Sequence, residues 1–181
     1  MIDVDDLVAR CVEGMSESEP RLAIRDVLGW ALAEGRLGEA FQLKTQGVEV
    51  LHHSHELTVL HAIWPPLVRI YPHDHRMWAA IAVYAGREDN TFFRRDGTTV
   101  RETGGKVLHE GDVMLVGDDT IHAVENPNRA CTGAVHVYGG DFFAVARSQW
   151  TGAPPTEEPY DFKSVLREFD LAEQRFSESN S

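Results

Sequence analysis

The sequence has 181 residues, of which 43% are hydrophobic, a size and composition typical of one compact domain with a substantial core. Its 29 acidic and 17 basic residues give a formal net charge of -12, which repels phosphate backbones and anionic membrane surfaces, so neither nucleic acid nor a membrane is an expected partner. Because the sequence has two cysteines, an acidic start and no apolar run of about 18 residues, we expect no disulfide framework, no export signal and no membrane span, and a cytoplasmic protein.

Residues 1–40 are predicted to form a helical N-terminal segment with two short helices. Apolar residues recur at helical spacing from Val4 to Val12, and a second such pattern begins at Pro20. Gly35 and Gly38 follow where the second pattern ends, which is typical of a helix terminus.

From residue 48 to 146 the sequence predicts a small β-barrel or sandwich. Short runs rich in β-branched and aromatic residues alternate with Gly, Asp, Asn and Pro, and Asp96-Gly97 marks a tight hairpin. The predicted strands include Leu57 to Trp64, Met77 to Ala85, Val113 to Val116, Thr120 to Val124 and Thr132 to Tyr138.

The stretch from Trp150 to Tyr160 is rich in proline and glutamate and is predicted to be a surface loop. An amphipathic pattern then predicts a C-terminal helix within residues 160–176. Without a repeat or linker, residues 1–181 are expected to form one domain.

The candidate site consists of three histidines. His73 and His75 flank Asp74, and in an extended strand residues i and i+2 point to the same face, so both rings can converge on one metal ion. The alternative is a polar strand edge. His122 is predicted on a separate strand, and three nitrogens from two strands can occupy one face of an octahedron, which leaves open positions for substrate and oxygen.

These residues also carry a resemblance. Pro72 to His75, Gly86, Gly111-Asp112 and His122 to Asn126 resemble the two motifs of the cupin superfamily, a double-stranded β-helix. Trp64 and the segment Ala134 to Gly139 are similar to the cysteine dioxygenase group, the thiol dioxygenases, which use non-haem iron. The resemblance covers Leu57 to Val145.

Most cupins add a glutamate ligand after the second histidine, but this sequence has Trp78-Ala79-Ala80 there. Thiol dioxygenases also lack this glutamate. Three neutral imidazoles leave a divalent ion with its full charge, which favours an anionic, metal-chelating substrate. Glu88 and Glu110 are the first candidates for a carboxylate hidden elsewhere in the fold.

His136 and Tyr138 share one face of their predicted strand. The resemblance implies that they form an outer shell, with Tyr138 as a hydrogen-bond donor near the substrate and His136 supporting it. The alternative is that both are ordinary strand residues.

Three departures from the resembled family concern the substrate. The family's serine before the His-x-Tyr pair is Ala134 here, and Ala80 replaces the cysteine that animal enzymes crosslink to the tyrosine. The family's carboxylate-binding arginine has no counterpart between Phe41 and Glu56, where Lys44, His52, His53 and His55 are the only cationic side chains, so cysteine is not an expected substrate.

The remaining histidines and nearby residues have weaker predictions. The run His52-His53-Ser54-His55 is either a second metal site or a solvated strand end, and His61 is expected to face away from the pocket. Arg69 and Tyr71 share the parity of His73 and are candidates for the pocket mouth.

The preferred hypothesis is an iron(II)-dependent dioxygenase that uses O2 to oxidise a small anionic substrate, with a thiol as the first candidate. Imidazole also suits Zn, Mn or Ni, so a Lewis-acid isomerase, decarboxylase or hydrolase stays open, as does a non-enzymatic ligand-binding cupin. The sequence leaves the oligomeric state open.

Overall fold

The computed structural model describes residues 3–41, 43 and 46–178, apart from the side chain of Glu34. Its helices are α1 (Val4–Gly14), α2 (Pro20–Leu32), α3 (Arg36–Ala40) and α4 (Phe162–Glu178), with a 3-10 turn at Ala33–Gly35 between α2 and α3. None of the helices described is long and apolar enough to cross a membrane.

The two predicted N-terminal helices are confirmed as α1 and α2. Asp3 caps α1 by accepting a hydrogen bond from the backbone N–H of Asp6, and a proline opens α2. The helices pack through Leu7 and Leu28 against the outer face of a sheet. The additional helix α3 has five residues, which is too short to give a periodic pattern in the sequence.

The described strands all pair in antiparallel fashion. They are β1 (Gly47–His53), β2 (Thr58–Trp64), β3 (Arg69–Asp74), β4 (Ala79–Ala85), β5 (Arg87–Asp96), β6 (Thr99–His109), β7 (Val113–Val116), β8 (Ile121–Glu125), β9 (Thr132–Tyr138), β10 (Ser148–Thr151) and β11 (Thr156–Pro159). The tight hairpin predicted at Asp96-Gly97 joins β5 to β6, and Gly97 adopts a positive φ of 63° that suits glycine.

The strand order establishes the fold class. One sheet has the order β1-β2-β9-β4-β7 and the other has the order β11-β10-β3-β8-β5-β6. The eight strands from β2 to β9 form the four-stranded arrays β2-β9-β4-β7 and β3-β8-β5-β6. Along the chain these strands change sheet at every step except from β5 to β6, which form a hairpin. This is the eight-stranded jelly roll to which cupins belong. The mainly β, double-stranded β-helix that the resemblance implies is confirmed, with helices at both ends of the chain.

The loop predicted from Trp150 to Tyr160 is wrong, because β10 and β11 form a hairpin there. Trp150 is 1% exposed, and Gln149 pairs with His73 of β3, so this hairpin extends the sheet beside the histidines. Each strand has only four residues, and the prolines and glutamates are poor strand formers, so tertiary packing rather than local propensity creates the hairpin.

Helix α4 lies across one end of the barrel. Its apolar residues Val165, Phe169 and Ala172 are buried in a cluster with Trp64 and Val124 of the barrel. The predicted C-terminal helix is confirmed, and it ends two residues later than expected, at Glu178. Because Phe162 and Val165 also line the cavity described below, the helix forms part of the candidate site.

Candidate metal centre

His73, His75 and His122 lie together inside the barrel. One nitrogen from each ring falls within 4.8 Å of the others, and all three residues are buried. His73 is in β3 and is paired in register with His122 of β8, whereas His75 follows the end of β3. The Nε2 atoms of His75 and His122 are 2.9 Å apart.

Hydrogen bonds at the Nδ1 atoms orient two of these rings. His73 Nδ1–H donates to the carbonyl of Tyr71 at 2.9 Å, and His122 Nδ1–H donates to the side-chain oxygen of Asn90 at 2.7 Å. Each partner atom is an acceptor, so the proton is on Nδ1 and the Nε2 lone pair faces the cluster. His75 Nδ1 is buried with no hydrogen-bond partner in the described part of the chain.

This donor set fits a divalent transition metal ion, because three neutral imidazole nitrogens converge on one position where a single ion can accept their lone pairs. Burial lowers the pKa of His73 to about 4 and holds the pKa values of His75 and His122 well below 6.5. The rings are therefore neutral near pH 7, which is the form that binds a metal.

We expect the metal-free protein to lose stability as the pH falls from about 6.5 towards 4. Below its ordinary pKa each histidine takes up a proton in the unfolded chain but not in the fold, so the unfolded state binds more protons and gains free energy. The shift of His73 alone, from 6.5 to about 4, corresponds to roughly 3 kcal/mol. Urea unfolding at several pH values measures the effect, and a midpoint unchanged from pH 7 to pH 4.5 would contradict it.

A tight turn orients His75. Arg76 has a positive φ of 55°, and its guanidinium lies 2.8 Å from the Asp74 carboxylate. Asp74 is 2% exposed and also accepts the backbone N–H of Ser148 at 2.8 Å, which ties the turn to β10. This network, rather than strand alternation alone, aims His75 at the same point as His73.

The three histidines form one wall of a small cavity of about 30 Å³, which is room for about two water molecules. His136 and Tyr138 also line it, and Tyr138 Oη lies 3.3 Å from His136 Nδ1. Burial raises the pKa of Tyr138, so its phenol stays protonated. The rest of the lining is apolar or aromatic and includes Leu60, Ala62, Trp64, Ile70, Val124, Phe142, Tyr160, Phe162 and Val165.

Arg69 and Tyr71 do not line this cavity, so that expectation is wrong. The register of β3 against β8 shifts between Ile70 and His73, and this irregularity reverses which residues face inward. Ile70 lines the cavity instead, while Arg69 is exposed beside Glu125, and Tyr71 donates a hydrogen bond to Glu168 of α4.

The two candidate carboxylates have different positions, and neither joins the three-histidine group. Glu110 is exposed, whereas Glu88 is fully buried and accepts hydrogen bonds from Trp64 Nε1 at 2.8 Å and from Asn90 Nδ2 at 3.0 Å. Burial raises the pKa of Glu88, but the nearby His136 and these hydrogen bonds more than offset it, so its pKa is lowered and it stays ionised.

Arg147 is a buried cation that was not predicted from the sequence. Its guanidinium lies over the rings of Phe142 and Tyr160, at 3.8 and 3.9 Å. Both rings line the cavity, whereas Arg147 itself lies behind them and borders an outer groove with Arg76 and Glu157. Arg147 is 8% exposed, and its Nε and Nη1 atoms have no hydrogen-bond partner among the described residues. Its charge is one of the causes that lower the pKa of His73 and His75, after burial, so it lies close to them. The one sequence signal was an arginine within the apolar run that begins at Phe142.

The other histidines lie elsewhere. His52 is half-buried, His53 and His55 are exposed, and none of the three lines the cavity; His53 pairs with Asp141 at 2.8 Å. His61 points away from the cavity, as expected, and stacks on Phe41 with a ring separation of 4.1 Å. Lys44 lies outside the residues that the structure describes.

No protein-family model matches the sequence, and no curated protein matches it. Among solved structures, an RmlC-like cupin family protein with a double-stranded β-helix fold from Methanocaldococcus jannaschii is 17% identical, with a TM-score of 0.46 over 55% of this chain and 84% of that chain. An oxalate decarboxylase variant from Bacillus subtilis is 14% identical, with a TM-score of 0.44 over 56% of this chain and 27% of that chain. These likenesses are weak, and no activity or ligand is transferred from them.

Proposed function

We propose that the chain is a non-haem iron(II) dioxygenase of the thiol dioxygenase type, acting on a small thiol that carries a carboxylate. The observation that carries the proposal is the group of three buried, neutral imidazoles at one wall of a small cavity, with no carboxylate from the described residues among the ligand atoms. His73, His75 and His122 would hold the ion. An ion with its full positive charge favours a thiolate ligand.

When bound, iron(II) supplies the redox chemistry that lets O2 react with a thiolate. The overall reaction converts RS⁻ and O2 to RSO2⁻, so both oxygen atoms end on sulfur and no external reductant is needed. The chain's own residues bind and orient the substrate and exclude water. The largely apolar cavity of about 30 Å³ favours the smallest thiols, and its lining side chains must move apart to admit even these.

Arg147, which lies behind Phe142 and Tyr160 and does not itself line the cavity, would provide the counter-charge for the substrate carboxylate once these two rings move apart. A buried guanidinium with unused N–H groups is costly unless it pairs with an anion, and a carboxylate accepts two parallel hydrogen bonds from it. Tyr138 presents a neutral phenol to the same cavity and can hydrogen-bond to the substrate. The substrate is therefore held at one end by its sulfur and at the other by its carboxylate.

Oxygen uptake by the iron(II)-loaded protein tests this proposal. We expect uptake with 3-mercaptopropionate and much slower uptake with cysteamine, which has a thiol but no carboxylate. Glutathione is too large for the cavity and should be inactive. A panel of 1,3-diketones tests for chelating substrates without sulfur.

Metal analysis of the purified protein accompanies the assay. Stoichiometric zinc together with no oxygen uptake for any thiol would overturn the dioxygenase proposal in favour of a Lewis-acid enzyme on the same three histidines. Equal rates with 3-mercaptopropionate and cysteamine would contradict the role of Arg147 while leaving the dioxygenase chemistry intact.

A further inference from the structure

Glu88 is connected to the candidate metal centre in two ways, to His122 through Asn90 and to Tyr138 through His136. It is in β5, two residues before Asn90, so both side chains point into the barrel from one face of the strand. Three donors surround its carboxylate. Asn90 Nδ2 donates to one oxygen, while Trp64 Nε1 and His136 Nε2 face the other, at 2.8 and 3.3 Å.

We propose that Glu88 is a positioning residue that sets the proton positions of His122, through Asn90, and of His136. This inference rests on the proposed metal-dependent function, because its purpose is to present the His122 lone pair to the ion. Glu88 is not one of the three ligands and does not itself line the cavity, but it contacts the lining residues Trp64 and His136.

The first path runs from Glu88 to His122. A carboxylate only accepts hydrogen bonds, so the Asn90 amide must turn its NH2 group to Glu88 and its oxygen to His122. That oxygen in turn requires a proton on His122 Nδ1. The Nε2 atom is then free to bind a metal, and a reversed amide would place the proton on the wrong nitrogen.

The second path runs from Glu88 to Tyr138. His136 Nε2 is buried and makes no hydrogen bond to any described residue, and the Glu88 carboxylate, 3.3 Å away, is the acceptor beside it, which favours a proton on Nε2. In the neutral ring Nδ1 is then an acceptor, and Tyr138 Oη donates to it at 3.3 Å. In this arrangement the oxygen of Tyr138 turns its lone pairs to the cavity.

Glutamine at position 88 separates these two paths. It has one acceptor oxygen and one NH2 group for three donors, and the indole of Trp64 cannot change from donor to acceptor. The glutamine oxygen must therefore stay with Trp64 and His136, and its NH2 group must face Asn90. Asn90 then flips, and the proton of His122 moves from Nδ1 to Nε2.

Long-range ¹H–¹⁵N NMR of the metal-free protein measures the proton positions directly. We expect Nδ1–H at His122 and Nε2–H at His136 in the wild type. Glu88→Gln should move the His122 proton to Nε2 and leave the His136 proton on Nε2. Glu88→Leu removes the carboxylate altogether, so neither ring should keep a fixed proton position. Glu168→Gln is the matched control, because Glu168 is also buried, at 4% exposure, but lies outside this network. Retention of Nδ1–H at His122 in folded Glu88→Gln would overturn the proposal.

Cobalt(II) titration of the same proteins gives a second, independent measurement. Glu88→Gln and Asn90→Ala should each weaken binding by about 10- to 100-fold. Because both act through the same path, the double variant should bind no more weakly than Asn90→Ala alone. Additive losses of cobalt(II) affinity would contradict transmission through Asn90. So would a proton that stays on Nδ1 of His122 in Asn90→Ala. The Asn90→Ala variant retains Glu88, so it tests the path even if Glu88→Gln does not fold.

Neither measurement uses oxygen or a thiol. A protein that shows these proton positions but consumes no oxygen would refute the dioxygenase proposal and support the role of Glu88. A protein that consumes oxygen with a thiol but lacks these proton positions would support the dioxygenase proposal and refute the role of Glu88.

Discussion

Replacing His122 by alanine is expected to abolish retention of a divalent metal ion. His122 contributes one of the three converging nitrogens, and its ring is the one in contact with His75 Nε2, at 2.9 Å. Loss of an outer-shell partner already costs about 10- to 100-fold in metal affinity, and loss of a ligand should cost more. Metal analysis after gel filtration and cobalt(II) titration both measure the effect.

The matched control is His53→Ala, which removes an imidazole from the histidine run that lies outside the cavity. It should retain the metal at wild-type stoichiometry. Because the ring of His122 is buried, its removal will also lower stability, so folding of the variant is checked by circular dichroism. A folded His122→Ala protein that keeps its metal would contradict the ligand set.

Local patterns predicted the elements near the site well. The runs that became β2, β4 and β9 are short, apolar and bounded by turn residues. The positions of His73, His75 and His122 predicted that three imidazoles come together, although His75 lies just beyond β3 and not in the strand. These features depend on contacts between residues close in sequence or on the period-two alternation of strands, which a single sequence displays.

The features that the sequence did not predict depend on contacts between distant segments. The position of Arg147 depends on its contacts with Phe142 and Tyr160. Tyr160 comes close to Arg147 because the β10–β11 hairpin, which lies between them in the sequence, folds back on itself. The irregular register of β3 moved Ile70 into the cavity in place of its neighbours. Glu88 is a candidate metal ligand from the sequence, but its carboxylate oxygens accept hydrogen bonds from Trp64 and Asn90. Trp64 is 24 residues away in the sequence, so this contact depends on the fold.

Arg147→Met is expected to lower kcat/KM for 3-mercaptopropionate by about 10- to 100-fold, because it removes charge-assisted hydrogen bonds worth about 1.5–3 kcal/mol to the carboxylate. The loss should appear mainly in KM, and activity with cysteamine should not fall. The matched control is Arg10→Met, since Arg10 also lies over an aromatic ring, that of Trp30 at 4.1 Å, but pairs with Asp6 within α1, outside the cavity. That variant should leave KM unchanged.

The stability of Arg147→Met decides whether the arginine is present for binding or for the fold. Arg147 gains cation–π contacts with two rings, but its Nε and Nη1 atoms have no hydrogen-bond partner in the described part of the chain. These two contributions, each of about 1–3 kcal/mol, have opposite signs. Methionine fills similar space without the unpaired N–H groups, so we expect the free energy of unfolding to change by no more than about 1 kcal/mol. A structural arginine would instead show a large loss of stability with an unchanged KM. A large rise in KM with unchanged stability is the result that identifies the buried cation as the carboxylate-binding residue.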